Sequence, residues 1–439
     1  MFLQEIFQQR IAAMNTASNI LVPRFLDCFQ GFSVIDIKEY LKDMRIEIHL
    51  EKKSDNNAIC CKCYEALGHY HDRYQRKVKH LRLFNFDVTV HFFTDKRHCT
   101  NCNKIRSEFI EWLCPTTPHL TMDLAWCINR LTEIATVRQV SILKSVDKMT
   151  CYQIDKYILN RIFQGYAIPK LTHIAVDEVY ARSSRQQEDN ETRDDLFFTV
   201  IVDLRTHKVV WVSKSRRKEA LDSFFEVIGK EMCDQIRVVA ADQHEGYGSS
   251  VRQYCSNAKL VWDRFHLVQK FNDLINDERR SEADRVKNRE HYGTLLHGKN
   301  KWIFLKKSSS RSQKEIDHIN EVMVLNDRIA KLEIMKERYH QMFDCKTRDE
   351  AELVLYEIYQ WACNMEAWDI MKYFMMLRES EEFWNYFDHR YTTSVVEGIN
   401  RGIKTLKWVA YGYKDMAYFA LKIMQKFGYL NHKYALNWL

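Results

Sequence analysis

Two C-x2-C pairs, Cys60 with Cys63 and Cys99 with Cys102, constrain this chain more than any other feature; 35 residues separate them. A turn of this spacing aims two thiolates at one point, and two such turns complete the tetrahedral set that Zn2+ takes in closed structural sites. The segment between them must then double back, which hairpin strands do, so a zinc ribbon is expected over residues 45–112. On spacing alone, Cys61 can stand in for Cys60 and His98 for one of the cysteines. Thirteen cysteines in 439 residues is an odd number and a scattered one. That usage fits reduced thiols better than a disulfide scaffold.

Composition narrows the rest. A content of 46% hydrophobic and 28% charged residues is globular and excludes a disordered or fibrous chain. With 12 glycines and 4 prolines, domains should join through helices or short turns. No apolar run approaches the ~18 residues of a membrane span. No basic stretch followed by an apolar block marks a leader, so a cytoplasmic protein is expected. The net charge of +7 suits a polyanionic partner without establishing one. Around the cysteines the basic residues, among them Arg76, Lys77, Lys79 and Arg97, outnumber the acids, as a phosphate-contacting surface requires. A solvated basic face is the alternative.

Residues 1–44 read as a lead-in, with helix-like spacing at Ile35, Ile37, Tyr40 and Leu41. Alternation over 46–50 and 78–93 predicts strands. From Thr121 to Ile158 the apolar period turns helical in three short segments, compatible with a helix-turn-helix over 113–168 or a plain helical spacer. Beyond Pro169 the pattern predicts strands at 173–180, 196–204 and 209–213, a helix at 218–232, then strand, helix and strand at 236–241, 247–254 and 259–262. This is an α/β arrangement, a mixed sheet with helices packed on it, over 169–271. Residues 272–384 read as helical and charged throughout, with a basic stretch at 299–314 that carries Trp302 and Phe304. The block interrupts the sheet domain, whose last helical part is expected at 385–439.

Asp177 and Asp242 each end an apolar run, His173-Ile-Ala-Val-Asp177 and Val238-Val-Ala-Ala-Asp242. If those strands lie parallel and adjacent, both carboxylates emerge at one edge of the sheet. Glu397 sits in a helical pattern in which it shares a face with Arg401 and Lys404, while Ile399, Ile403 and Leu406 face the sheet. Three converging carboxylates make a hard oxygen cage for Mg2+ or Mn2+, and two ions ~4 Å apart serve phosphodiester displacement. Glu178, Asp203 and Asp263 are rival carboxylates; Glu178 should point to the opposite face of its strand from Asp177.

Taken in order, the C-x2-C pairs, Ile174-Ala-Val-Asp177-Glu178, Ala240-Ala-Asp242-Gln-His-Glu-Gly-Tyr247, Val261-Trp-Asp263-Arg-Phe-His266 and Val396-Glu397-Gly-Ile-Asn-Arg-Gly-Ile-Lys404 resemble the ISL3-type insertion-sequence transposases of bacteria. The resemblance runs from about residue 45 onward. It departs at Trp262, where a small residue is usual, and at Lys407-Trp408, where Lys-Arg is common. It implies a ribonuclease-H-like core split by a helical insertion, preceded by a zinc-binding region and a helix-turn-helix that read the element's terminal inverted repeats. The catalytic DDE triad then falls on Asp177, Asp242 and Glu397, and Asp263 and His266 match a motif without an assigned role. The expected partners are double-stranded DNA, as element ends and target, and further copies of the chain in a homodimer or larger oligomer. The expected activity is cleavage and rejoining of DNA, with Arg401, Lys404 and Lys407 neutralising phosphates and Trp302 and Phe304 available to stack on bases. A DNA-binding regulator and a metal-dependent nuclease are the rival readings; a carboxylate-pair glycosidase accounts for neither the cysteines nor the basic surface.

Overall fold

Val88, Val90 and Phe92 occupy every second position of one strand, and Ile46, Ile48 and Leu50 do the same in its parallel neighbour, in the register Ile46↔Val88 and Ile48↔Val90. Because side chains alternate across a strand, these six make a single apolar face. Trp112 closes over it, 4.9 Å from Phe92 between ring centroids. In this computed structural model, which describes residues 28–53, 58–183, 187, 191–286, 300–391 and 394–435, that face is the core of the first of two units. The first unit comprises the residues up to Tyr166 with those from Leu430 onward, and the second runs over Ala167–Tyr429.

The sheet of the first unit contains β1 (Phe32–Tyr40), β2 (Arg45–Lys52), β3 (Tyr70–Lys79), β4 (Asp87–Cys99) and β5 (Lys104–Ser107), in the order β1-β2-β4-β3 with β5 on the end of β4. Only β2 and β4 are parallel. Two expectations are corrected here. The segment with helix-like spacing is β1, an edge strand whose Ile35 and Ile37 are exposed; hydrogen bonding to β2 fixes it, and a strand with little buried surface leaves no alternation to read. The alternating stretch 78–93 is not one strand, because a turn with Phe84 at φ 54° separates the end of β3 from β4. Residues 1–27 of the expected lead-in lie outside the described residues.

Three helices follow: α1 (Met122–Thr132), α2 (Val137–Lys144) and α3 (Lys148–Gly165). Each begins at a residue whose side chain accepts a backbone N–H of the first turn, namely Thr121, Thr136 and Asp147. Leu124, Ile128, Val140, Ile154 and Ile158 pack between them, and the buried Asp155 accepts hydrogen bonds from Asn129 (2.8 Å) and Thr132 (2.5 Å).

In the second unit β6 (His173–Tyr180), β7 (Phe197–Asp203), β8 (Lys208–Lys214), β9 (Val238–Ala241) and β10 (Lys259–Trp262) form a mixed sheet in the order β10-β9-β6-β7-β8. The hairpin strands β6, β7 and β8 are antiparallel, and β6, β9 and β10 run parallel. Helices α4 (Lys218–Cys233) and α5 (Glu245–Tyr254) make the crossovers, burying Leu221, Phe224, Phe225, Tyr247 and Val251. From α6 (Arg264–Val286) through α7 (Asn300–Leu305), α8 (Gln313–Leu325), α9 (Asp327–Met342), α10 (Arg348–Asn364), α11 (Trp368–Glu379) and α12 (Glu381–His389), the chain builds a helical core around Phe271, Leu332, Met335, Tyr339, Ile358 and Phe374. This core joins the sheet edge at β10, where Asn385 of α12 donates to the Leu260 carbonyl at 2.9 Å. Finally α13 (Ser394–Val409) packs on β6 and α14 (Met416–Phe427) on β8, followed in the first unit by the short α15 (His432–Ala435). Among the described residues no helix is long and apolar enough to cross a membrane.

Candidate active site and metal centre

The register between β6 and β9 pairs Ala175 with Ala240. Asp177 and Asp242 each lie two residues further on, so parallel strands carry both carboxylates to the same edge and the same face. His266, in the first turn of α6, sits between them: its Nδ1 is 3.5 Å from Asp242 and its Nε2 3.9 Å from Asp177. The same Nε2 is 3.9 Å from Asp263, which is almost fully buried and accepts the Phe265 N–H at 3.2 Å.

Helix α13 brings two further groups. Its apolar side, Val396, Ile399 and Ile403, is buried, and this orientation presents Asn400 to β6. Asn400 Nδ2 donates to Asp177 Oδ2 at 2.8 Å and to the Glu178 carbonyl at 3.4 Å. Its Oδ1 is buried without a hydrogen-bond partner. Glu397 is one helical turn away and accepts a 2.6 Å hydrogen bond from Arg401. Spacing could have found Asn400, since i,i+3 neighbours share a helix face; nothing in the sequence says that it reaches Asp177. The oxygens of Asp177, Asp242 and Glu397 do not form a group lying mutually within 4.8 Å. Two ions ~4 Å apart need a wider span than one cage, with ligands ~2 Å from either ion.

Burial pushes the Asp177 carboxyl up to about 6, helped by the negative charges of Asp263 and Glu178 and opposed by the Glu178 N–H and His266. Glu178 is also raised by burial, although Tyr247 and Arg216 draw it down. Its ion pair with Arg216, at 3.8 Å, lies on the other face of β6, as alternation requires. Asp203 belongs to the β7–β8 turn, where it accepts from Arg205 N (2.9 Å) and Thr206 Oγ1 (2.8 Å).

In the first unit the sulfurs of Cys60, Cys63, Cys99 and Cys102 all lie within 4.8 Å of one another. Cys63 and Cys99 are 3.4 Å apart, and Cys60 and Cys102 3.9 Å. One pair turns between the bridged residues Ile59 and Ala66 and the other between β4 and β5, so the antiparallel pairing of β4 with β5 aims the second turn. Backbone N–H groups of Lys62 and Cys102 point at Cys60 and Cys99, both at 3.4 Å. The backbone N–H of Glu65 holds the Cys63 thiol down to about 6, whereas its sulfur neighbours push Cys102 up to about 12. Four converging thiols with N–H···S support fit Zn2+, and Cys61 and His98 fall outside the group.

The basic residues divide. Lys79 caps α2, donating to the carbonyls of Lys144 (2.8 Å) and Ser145 (3.0 Å). Arg76 donates to the Pro118 carbonyl, Arg97 to Asp95 at 3.2 Å, and Lys407 to the Tyr180 carbonyl at 2.8 Å. Lys77 and Lys404 are exposed. Of the aromatic pair in the basic stretch, Trp302 is exposed, but Phe304 is buried under the Lys336 ammonium. Phe304 is therefore a core residue and not a base-stacking one. Lys299, the start of that stretch, lies outside the described residues.

Comparison with known proteins sets this geometry in a family. The model of the ISL3 DDE family, described as transposase, matches residues 174–423, a span that includes β9, α13 and all of β6 but its first residue. The transposase for insertion sequence element IS1001 of Bordetella parapertussis is 23% identical over 417 residues, covering 91% of this chain and 96% of that relative. The transposase for insertion sequence element IS1557 of Mycobacterium tuberculosis is 23% identical over 268 residues, 56% of this chain and 57% of its own length. The chain belongs to the ISL3 family of transposases.

Proposed function

We propose that this transposase cuts and rejoins DNA at the ends of an insertion sequence, with Asp177, Asp242 and Glu397 as the metal-holding carboxylates of a DDE site. The observation that carries the reading is the parallel register of β6 and β9, which sets Asp177 and Asp242 about one imidazole, while α13 carries Glu397 and ties Asn400 to Asp177. The donor set is all hard oxygen, and the unsatisfied buried Oδ1 of Asn400 is a polar group that a hydrated cation would suit. Mg2+ or Mn2+ bound there supplies Lewis-acid charge and lowers the pKa of water.

The residues of the chain divide the remaining work. Asn400 fixes the rotamer of Asp177, and His266 lies between the two aspartates, 3.5 Å from Asp242 and 3.9 Å from Asp177. Arg401 and Lys404, on the face of α13 that bears Glu397, neutralise phosphates of the bound strand. Water adds to the phosphorus at the element end and the 3′ oxygen leaves, giving a 3′ hydroxyl and a 5′ phosphate. That hydroxyl then attacks a phosphodiester of the target, so the second step exchanges one P–O bond for another.

On this reading β6–β10 with α4, α5, α13 and α14 form a ribonuclease-H-like core, and residues 272–384 are an insertion between the second and third acids. Residues 45–112 form a zinc ribbon holding Zn2+ on four cysteines, and α1–α3 act as a helix-turn-helix on double-stranded DNA. Lys77 joins this surface, with Arg76, Lys79 and Arg97 shaping it through their internal bonds. The working form is a homodimer or larger assembly on the element ends, in the bacterial cytoplasm.

The test is incubation of purified protein with Mg2+ and labelled element ends, comparing wild type with Asp242→Asn and Asp177→Asn. We expect nicking and joining by the wild type, and binding without chemistry by the variants. Unchanged function in both variants would make the chain a DNA-binding regulator, and cleavage without joining a nuclease.

A further inference from the structure

Outside the four-cysteine group, one more cluster among the described residues brings three potential ligand atoms mutually within 4.8 Å: Cys28, His80 and Asp123. We propose that these three residues form a second zinc site in the first unit, with a thiolate, an imidazole and a carboxylate as ligands and a fourth position open to water.

The ligands come from three elements. Cys28 lies in the turn before β1, His80 follows β3, and Asp123 is in the first turn of α1. They are 52 and 43 residues apart in sequence, so packing and not a local motif brings them together. His80 is buried against the Phe29 ring, 5.4 Å between centroids. Its Nδ1 is 2.8 Å from the Thr121 hydroxyl, which also accepts the Leu124 N–H at 3.4 Å as the cap of α1. With Nδ1 held by Thr121, Nε2 is the ligating nitrogen, and a cation there selects the tautomer in which Nδ1–H donates to the hydroxyl. Such an outer hydrogen bond is what orients ligating imidazoles generally. Burial also lowers the basicity of His80, which favours the neutral ring that a metal needs.

One sulfur, one nitrogen and one carboxylate oxygen suit borderline-soft Zn2+ better than hard Mg2+. Ligand atoms around tetrahedral zinc stand ~3.3–3.8 Å apart, given bonds of ~2.0–2.3 Å, so a small closure of the present cluster suffices. Asp123 is exposed while His80 is buried, so the open position faces solvent. The metal would fasten the start of the sheet and the end of β3 to the first helix.

The test uses the full-length protein after dialysis, with zinc counted by elemental mass spectrometry. We expect about two zinc ions per chain in the wild type and about one in folded Cys28→Ser and in Asp123→Asn, whose side chain is exposed and outside the core. In the cobalt-substituted protein, Cys28→Ser should remove about one-fifth of the thiolate-to-metal absorption, because one thiolate in five is lost. A single zinc per chain in the wild type, abolished by Cys99→Ser, would overturn the proposal. Retention of both ions by folded Cys28→Ser would overturn it as well.

Discussion

Replacing Asp177 by Asn should stabilise the second unit at alkaline pH while abolishing chemistry. Burial lifts this carboxyl from 3.8 to about 6, so at pH 8 the folded protein holds a charge that the unfolded chain solvates better. At ~1.4 kcal/mol per pKa unit, the destabilisation is about 3 kcal/mol. It is an upper figure, because 19% of the side chain remains exposed. The group is raised, so its unfavourable contribution is absent below pH 3.8, grows as the unfolded carboxyl ionises, and is complete above pH 6. Against this gain, Asn has one carbonyl oxygen where Asp177 accepts two hydrogen bonds, from Asn400 (2.8 Å) and Glu178 N (2.7 Å), and losing one costs about 1 kcal/mol. The net is about 2 kcal/mol at pH 8 and roughly 0.5 kcal/mol at pH 5.

Because two units need not unfold together, the assay is amide hydrogen exchange of peptides covering β6 and β9, comparing variant and wild type at each pH. About thirtyfold slower exchange in the variant at pH 8, shrinking toward parity at pH 5, is expected. Adding Mg2+ should then protect the wild type and leave the variant unchanged, by mass action on the native state. Faster exchange in the variant at pH 8, or a gain independent of pH, would refute the reasoning that Asp177 is a buried charge.

Further tests probe other parts of the molecule. The four-cysteine group should release about two or more protons per zinc at pH 7.5, because Cys99 and Cys102 are both raised, and calorimetry in buffers of different ionisation enthalpy measures this. The apparent affinity should fall as pH drops through about 6, where the Cys63 thiolate is lost. Glu333→Ala should cost about 3 kcal/mol in urea denaturation, since it removes the carboxylate shared by the fully buried Lys336 (2.9 Å) and Arg311 (2.6 Å) and leaves Lys336 only the more distant Glu337 (3.5 Å) as a charge partner. Gly428→Ala should cost about 1–3 kcal/mol of thermal stability, because a Cβ there would meet the backbone oxygens of Val209 at 2.5 Å and Met424 at 2.8 Å.

Periodicity exposed the strands with one buried face and missed β1. Every second residue of β4 faces a core, so alternation is written into it; β1 owes its conformation to hydrogen bonds with β2, which any side chains permit. Likewise the positions of Asp177 and Asp242 at the ends of apolar runs were legible, but the roles of His266 and Asn400 were not. An imidazole 24 residues beyond Asp242 and an amide 223 residues beyond Asp177 meet those aspartates only through the packing of α6 and α13. Basic residues near the cysteines looked alike in sequence, yet Lys79 caps a helix while Lys77, on the same face of β3, faces water, a difference set by what neighbours each along the strand.

The sequence by itself determined the covalent spacings: which thiols share a turn, which acids end an apolar run, and which positions can face a core. Those follow from the 2.0 and 3.6 residue periods of the backbone. Only the tertiary structure decided what meets across the chain. It chose Cys60 over Cys61, set Asn400 on Asp177, buried Phe304, and gathered Cys28, His80 and Asp123. Contacts between distant segments depend on how whole faces pack, and no local period encodes that.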